Sequence, residues 1–285
     1  MTASSQELHF ADAGEAADLA AFLARLIHYD RAAAVRLQAG GGVLAVFGRP
    51  PSFEVLAIRT ARLEAVVSTE PASDAPHTSA GAAGGPGALD TTVSAGEFAD
   101  ALDTARAARN ADGAGGRDRG DRGLAVTVPQ AVTGPPWAGV LPPRGGWRRV
   151  NGLPGVNEVR GVVAAAVAEF RARDAALPEE RRTRAERDRI GHEIWSRTLG
   201  DTGLPLRAVH AAQSLGFLRQ VRALAAPSGL EVLPSVAAAG LGSMAEPLVL
   251  LAAGGWLRLR TPHGSIAVRT QGLSGGLSGL SVTPA

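Results

Sequence analysis

Apolar positions along the chain change period several times, and each change marks an element. Leu8 and Phe10 alternate with polar neighbours, the two-residue period of a short strand over 7–10. Asp12 stands three residues before Glu15, a capping-box spacing, and Leu19, Phe22, Leu23, Leu26 and Ile27 then recur at helical intervals. From Ala33 the period returns to two, with Val35 and Leu37 alternating with Arg36 and Gln38. Gly40-Gly41-Gly42 turns the chain into VLAVFG, and Pro50-Pro51 ends that run before FEVLAIRTARLEA. The pattern predicts a helix laid on a three-stranded antiparallel meander. Thr91–Val93 predicts a further strand. Ser94 and Glu97 cap a helix with Phe98, Leu102 and Ala105 on its buried side, and LAVTVPQAV predicts a last strand that Pro129 stops.

The second half reads as mainly helical. Val159, Val163, Val167 and Phe170 share one face of a helix starting near Asn157. Pro178, followed by Glu179 and Glu180, suits the first turn of a helix over 178–199, with Ile190, Ile194 and Leu199 on its core face and Gly200 to end it. Pro205 opens a third helix, 204–216, carrying Val209, Ala212 and Leu215. GWLRLR-TPHG-SIAVR predicts a β-hairpin around a proline-containing turn.

Three stretches lack periodicity: 68–90, 109–122 and the tail 272–285, all rich in Gly, Ser, Ala, Pro or mixed charge. They are expected to be two mobile loops and a flexible end. Residues 134–152 are different. GPPWAGVLPPRGGWRRV holds four of the chain's 18 prolines and two of its four tryptophans, and paired prolines fix φ and extend the residues before them. The fold class expected is α+β: a 1–133 domain with an antiparallel sheet and two helices, a Pro/Trp-rich connector over 134–152, and a 153–271 helical domain ending in the hairpin. At 285 residues, two modest domains fit the length.

Charge narrows the function. All 29 basic residues are arginine and the net charge is only +2, which gives weak long-range attraction to polyanions. No cysteine is present, so disulfides, thiolate metal sites and thiol nucleophiles are absent. The N-terminal MTASSQELHFADAGEAADL carries acids where a signal peptide needs basic and then apolar residues. The apolar run from Val232 to Leu257 is broken by Glu246-Pro247, leaving neither flank the ~20 residues a membrane span needs. A cytoplasmic protein without membrane contact is expected.

Local chemistry is sparse. His9, His28, His77, His192, His210 and His263 are scattered, and GHEIWSRT has serine at 196 where a zinc-protease helix needs its second histidine. No GxSxG is present, and without lysine no phosphate-binding P-loop exists. No metal, cofactor or catalytic residue is assigned. The stretch 171–189 carries seven arginines and five acids, expected as a solvated helical face with i,i+4 pairs. In GGRDRGDRG the aspartates largely cancel the arginines, which reads as a hydrated loop.

Two groups remain as binding candidates. In the hairpin, Leu257, Leu259, Ile266 and Val268 can share the core face while Trp256, Arg258, Arg260 and Arg269 project from the other, either as a wet sheet face or as a basic ribbon for phosphates. In the connector, Trp137 and Trp147 are suited to anchoring on the protein itself, with Arg144, Arg148 and Arg149 reaching solvent or acidic partners.

VLPPRGGWRRV, with the alanine- and arginine-rich, lysine-free composition, resembles conserved hypothetical proteins of high-GC actinobacteria, a resemblance that implies no activity. Residues 7–128 are also similar in element order to one repeat of DNA sliding clamps, which implies a clamp-like α+β fold. With no motif for a nucleophile, a metal cage or a phosphate cradle, the leading reading is a non-catalytic interaction or regulatory protein with a protein partner. The alternatives are a DNA- or RNA-associated protein using the Arg-lined hairpin and helices, and an enzyme without local signatures.

Overall fold

The computed structural model describes residues 6–64, 89–112, 123–219 and 248–270. The loop 68–88, most of the loop 109–122 and the tail 272–285 lie outside those residues. The chain divides into two compact units, Met1–Leu141 and Pro142–Ala285, and the fold is α+β.

In the first unit the order is β1 (Glu7–Phe10), α1 (Ala13–Tyr29), β2 (Ala34–Gly40), β3 (Val43–Gly48), β4 (Leu56–Arg62), β5 (Leu89–Ser94), α2 (Ala95–Asp112) and β6 (Leu124–Thr127). Asp12 caps α1 as its spacing implies, its carboxylate accepting from the Glu15 amide at 2.9 Å. Ser94 accepts the Glu97 amide at 3.4 Å at the head of α2. Strands β5, β2, β3 and β4 lie side by side in that order, all antiparallel, and β1 pairs with β6 in a separate ribbon. Leu19, Phe22, Leu23 and Leu26 of α1 are buried with Phe98 and Leu102 of α2 and with Val35, Leu37, Leu44 and Val46 of the strands. Arg59 of β4 is itself buried, and Asp18 of α1 accepts its guanidinium at 2.7 Å. One boundary differs from the sequence expectation: residues 109–112, read as loop, continue α2, because alanine and arginine sustain a helix until the glycines begin.

The second unit contains β7 (Arg148–Val150), α3 (Val156–Ala175), α4 (Arg184–Trp195), α5 (Leu206–Ser214), β8 (Val249–Ala253), β9 (Trp256–Thr261) and β10 (Gly264–Arg269). Its strands lie in the order β10-β9-β8-β7, so the expected hairpin is half of a four-strand antiparallel arrangement. Residues 148–150, read as connector, form its outermost strand. The helix expected over 178–199 is also shorter. Pro178 precedes a 3-10 turn over Glu179–Arg181, and α4 starts only after Thr183, whose hydroxyl accepts the Glu186 amide at 3.3 Å. That Thr-x-x-Glu cap outcompetes proline as the start signal. The helix stops at Trp195, before Gly200.

Arg173, Asp174 and Arg187 of the 171–189 stretch, together with Glu169, Glu193 and Arg197 on either side of it, do more than solvate a face. They tie α3 to α4. Arg173 is bidentate on Glu193 at 2.8 Å, Arg197 reaches Glu169 at 2.6 Å and Arg187 reaches Asp174 at 2.7 Å. The Arg173 hydrogen bonds hold the Glu193 carboxyl down at about 2, against an ordinary 4.5. Arg197 lowers Glu169 in the same way. His210 of α5 stacks on Trp195 with ring centroids 4.3 Å apart, and burial lowers its pKa.

Two outcomes follow from this packing. Gly264 has φ +148, and a Cβ there would lie 2.7 Å from the Phe217 ring. Gly264→Ala is expected to cost ~1–3 kcal/mol and lower the melting temperature by several degrees. Gly145→Ala, which meets nothing within 4 Å, should leave it unchanged. Because the folded pKa of Glu193 lies below its unfolded value, its stabilisation is complete above 4.5 and is lost as pH falls towards about 2. The melting-temperature gap between wild type and Glu193→Gln should therefore be constant above that range and close within it.

Candidate functional site

Strand alternation sorts the residues of β7–β10 onto two faces. Val150, Leu250, Leu259 and Ile266 stand in one cross-strand row, and Arg148, Ala252, Leu257 and Val268 in the next. Both rows lie on the same side, where Leu250, Leu257, Leu259, Ile266 and Val268 are buried and α5 lies against β10. The opposite side carries Arg149, Leu251, Arg258 and Ala267 in one row, Val249, Arg260 and Ser265 in another, and Ala253, Trp256 and Arg269 in a third.

On that second side the aromatic and cationic groups interlock. The Arg258 guanidinium carbon lies over the Trp147 ring, 5.8 Å from its centroid, and that of Arg269 lies over Trp256 at 5.5 Å. Both are within cation–π range. Trp147 is held by its own segment: its indole N–H donates to the Pro143 carbonyl at 3.0 Å. Gly146, with φ +77, makes the turn between them. Pro143 packs at the β8–β9 turn, where a Cβ on Gly254 would sit 3.5 Å from its ring.

Electrostatically the segments that carry this side are unlike the rest of the chain. Residues 142–157 and 248–270, which contain all four strands, hold six of the 29 arginines and none of the 27 acidic residues. The remaining 23 arginines therefore face 27 carboxylates. No carboxylate among the described residues lies within ion-pair distance of Arg149, Arg258 or Arg269. Arg258 is the most constrained of them. Its Nε is shut off from solvent and has no hydrogen-bond acceptor. Burial, and then the charge of Arg260, push its pKa below the arginine norm, yet a guanidinium stays charged in any accessible range. Arg149, Arg260 and Arg269 are exposed, and Trp256 is buried beneath them.

The sequence candidates thus separate. Trp147, Arg149, Trp256, Arg258, Arg260 and Arg269 share one face. Arg148 points to the other side, since adjacent strand residues alternate, and Arg144 is exposed in the preceding loop. Trp137 belongs to the first unit, in a 3-10 turn over Pro136–Gly139, where Arg36 donates to the Ala138 carbonyl at 3.1 Å. Both Trp137 and Trp147 are half-buried. The alternation put Arg258, Arg260 and Arg269 opposite the apolar row, as the register has them, but did not bring Arg149 into the Arg258 row or Trp147 against Arg258. The absence of acids around these arginines was the signal that could have drawn them together. His192, Glu193 and Arg197 are all exposed, and the latter two are engaged in the ion pairs that link α3 with the end of α4. Among the described residues no cluster of His, Asp and Glu is arranged to hold a metal ion, and no helix is long and apolar enough to cross a membrane.

Residues 3–139 match the family model of a domain of unknown function, DUF8010, and residues 142–273 match that of a second, DUF8185. Their limits fall at the division between the two units. No curated protein matches the chain.

An orphaned, desolvated cation contributes little to folding, because its solvation is lost without a carboxylate to offset it. Arg258→Met is therefore expected to leave the denaturant midpoint unchanged or raise it. Trp147→Ala, which removes a packed ring and its hydrogen bond, should lower the unfolding free energy by ~1–3 kcal/mol and the midpoint with it.

Proposed function

We propose that the protein is a non-catalytic, nucleic-acid-associated protein that holds a phosphate backbone on the arginine face of its C-terminal strands. The observation supporting this reading is that face itself: four arginines with two tryptophans, in strands without a single acidic residue. Low net charge argued against a polyanion partner while charge was averaged over the chain. Confined to one face, the same arginines make a local positive field.

The sequence reading put a protein partner first, and the make-up of the face favours the alternative. Protein interfaces are organised around desolvated apolar anchors ringed by polar groups. Here the aromatic surfaces are already occupied, Trp147 by Arg258 and Trp256 by Arg269. Among the described residues the exposed large apolar side chains, Tyr29, Val43, Val132 and Val140, belong to the first unit. What the second unit presents is guanidinium, suited to phosphate. Because both rings carry cations, base stacking contributes little, and recognition rests on the backbone without a strong sequence preference. The α3–α4 arginines named above are committed to carboxylates, so the strands rather than the helices supply the contacts.

Fluorescence anisotropy with labelled single- and double-stranded oligonucleotides tests the reading. Binding should weaken steeply with salt. Replacing Arg258, Arg260 and Arg269 together by Ala should weaken it at least tenfold and reduce the log–log salt slope by roughly 2–3, about 0.7–0.9 per lost contact. Affinity indifferent to salt or to the triple substitution would sink it. So would failure to bind any nucleic acid while a protein is captured through the same arginines.

A further inference from the structure

We propose that the free edge of β7 takes up an extended acidic peptide segment as an added antiparallel strand, with Arg148 and Arg149 each facing a carboxylate on it. The proposal goes beyond the nucleic-acid reading and does not rest on it. The surface is the rim of the strands, and its recognition runs through the main chain.

Three observations carry it. Strand β7 pairs with β8 along one side only, through Arg148–Ala252, Arg149–Leu251 and Val150–Leu250. On the other side no backbone hydrogen bond joins residues 148–150 to any described segment. N–H and C=O groups are left there as a template for another strand. The first unit treats its outer strand differently: the Val132 amide donates to the Thr92 carbonyl of β5 at 2.8 Å, which closes that edge with the chain's own backbone.

Next, the side chains of the β7 edge are cationic and uncommitted. Arg148 and Arg149 are exposed, and no carboxylate among the described residues lies within ion-pair distance of either. Residues 142–157, which hold them, include no acid. The two arginines point to opposite sides of the strand, so a paired segment meets both with acids at consecutive positions, one on each face. Val150 continues the row of Leu250, Leu259 and Ile266 on the helix-covered side, and it suits an apolar residue opposite. An antiparallel partner therefore reads apolar-acid-acid from its N-terminal end.

Finally, the edge disfavours its commonest competitor, a second copy of this chain. Gly146 and Gly152, at φ +77 and +83, lie just outside the strand and keep it short. A two-fold pair centred on Arg149 would set that arginine against its own mate, and like charges directly opposite are destabilising. The charges that bar self-pairing admit an acidic strand.

Fluorescence anisotropy on the full chain tests this, using a labelled, end-capped octapeptide with Val-Glu-Glu at its centre and threonines around it. The peptide should bind saturably and slow hydrogen exchange at the outward amides of residues 148–150. Val-Gln-Gln in the peptide, or Arg148→Gln or Arg149→Gln in the protein, should weaken binding roughly two- to fivefold for each charge pair lost. Arg144→Gln, in the loop outside the strand, should leave it unchanged. N-methylation of the peptide should show a two-residue alternation. A methyl on an amide facing β7 lowers affinity roughly tenfold or more, and one on the next amide does not. The proposal is overturned if the acidic peptide does not bind, if N-methylation acts alike at every position, or if Arg144→Gln weakens binding as much as Arg149→Gln. Protection of the β7 amides in the free protein that is lost on dilution puts a second copy on the edge and also overturns it. Oligonucleotide binding with no peptide on β7 rejects this proposal and keeps the nucleic-acid reading. Peptide on β7 without oligonucleotide binding does the reverse.

Discussion

Leu257, Leu259, Ile266 and Val268 have to leave water together, and the two-residue period of a strand lets them do so only on one side of β9 and β10. α5 lies on β10 and gives that side its cover. Everything between those residues is thereby sent to the other side. Arg258 and Arg260 face away from the helices because their neighbours face towards them. The register with β8 and β7 then fixes which further residues join them: Arg149 enters the Arg258 row, and Arg148 is excluded from it. The cationic face is thus a geometric consequence of burying the apolar one. What is not forced is its chemistry, since serine, threonine or glutamate would satisfy a solvated strand position equally well.

The distribution of carboxylates separates the two kinds of arginine in this protein. Between α3 and the end of α4 the arginine–acid pairs are mutual: Glu193 serves Arg173 and Arg197, and Glu169 serves the same two. Such a network orients two helices whose apolar contact is narrow, with Val159, Val163 and Ala166 on one and Ile190 and Ile194 on the other. Exposed pairs of this kind stabilise modestly. Their effect is to fix which faces meet. β7–β10 are built on the opposite plan, with cations brought into one another's field and held by tryptophan. An alanine- and arginine-rich composition conceals the difference, because averaged charge treats a neutralised arginine and an orphaned one alike.

What could be read from the sequence was local. Asp12 and Glu15, Ser94 and Glu97, and the Leu–Arg alternation of the hairpin all lie within a few residues of what they determine, and they gave the caps, the meander and the hairpin faces. The misreadings came from competition or distance. Pro178 and Thr183 are both start signals five residues apart, and only the completed Thr183–Glu186 box forms the α-helix. Strand β8, VLLAA, is a continuous apolar run without alternation, so no period marks it. Without β8 the hairpin has no neighbour and Arg149 has no row to join. Trp147 and Arg258 are distant in sequence, and no pattern within either segment announces the pair. Their common property, the absence of any acid nearby, becomes informative only once the strands are known to be adjacent.

The Pro/Trp segment shows how such a face can be held ready. Pro142 and Pro143 restrict the backbone before folding begins, so ordering the segment costs less conformational entropy than an ordinary loop would. Gly146 turns the chain back, and the Trp147 indole donates to the Pro143 carbonyl four residues earlier. The ring is therefore positioned chiefly by its own neighbours, and Arg258 is laid over a support fixed independently of it. A long, flexible arginine loses much rotamer freedom when it binds an anion. Over a fixed indole, part of that loss is already incurred in the free protein, which would favour the phosphate contact proposed above. The segment that first reads as a connector is on this account a platform. Its prolines and glycines serve the placement of one ring, and the ring serves the placement of one charge.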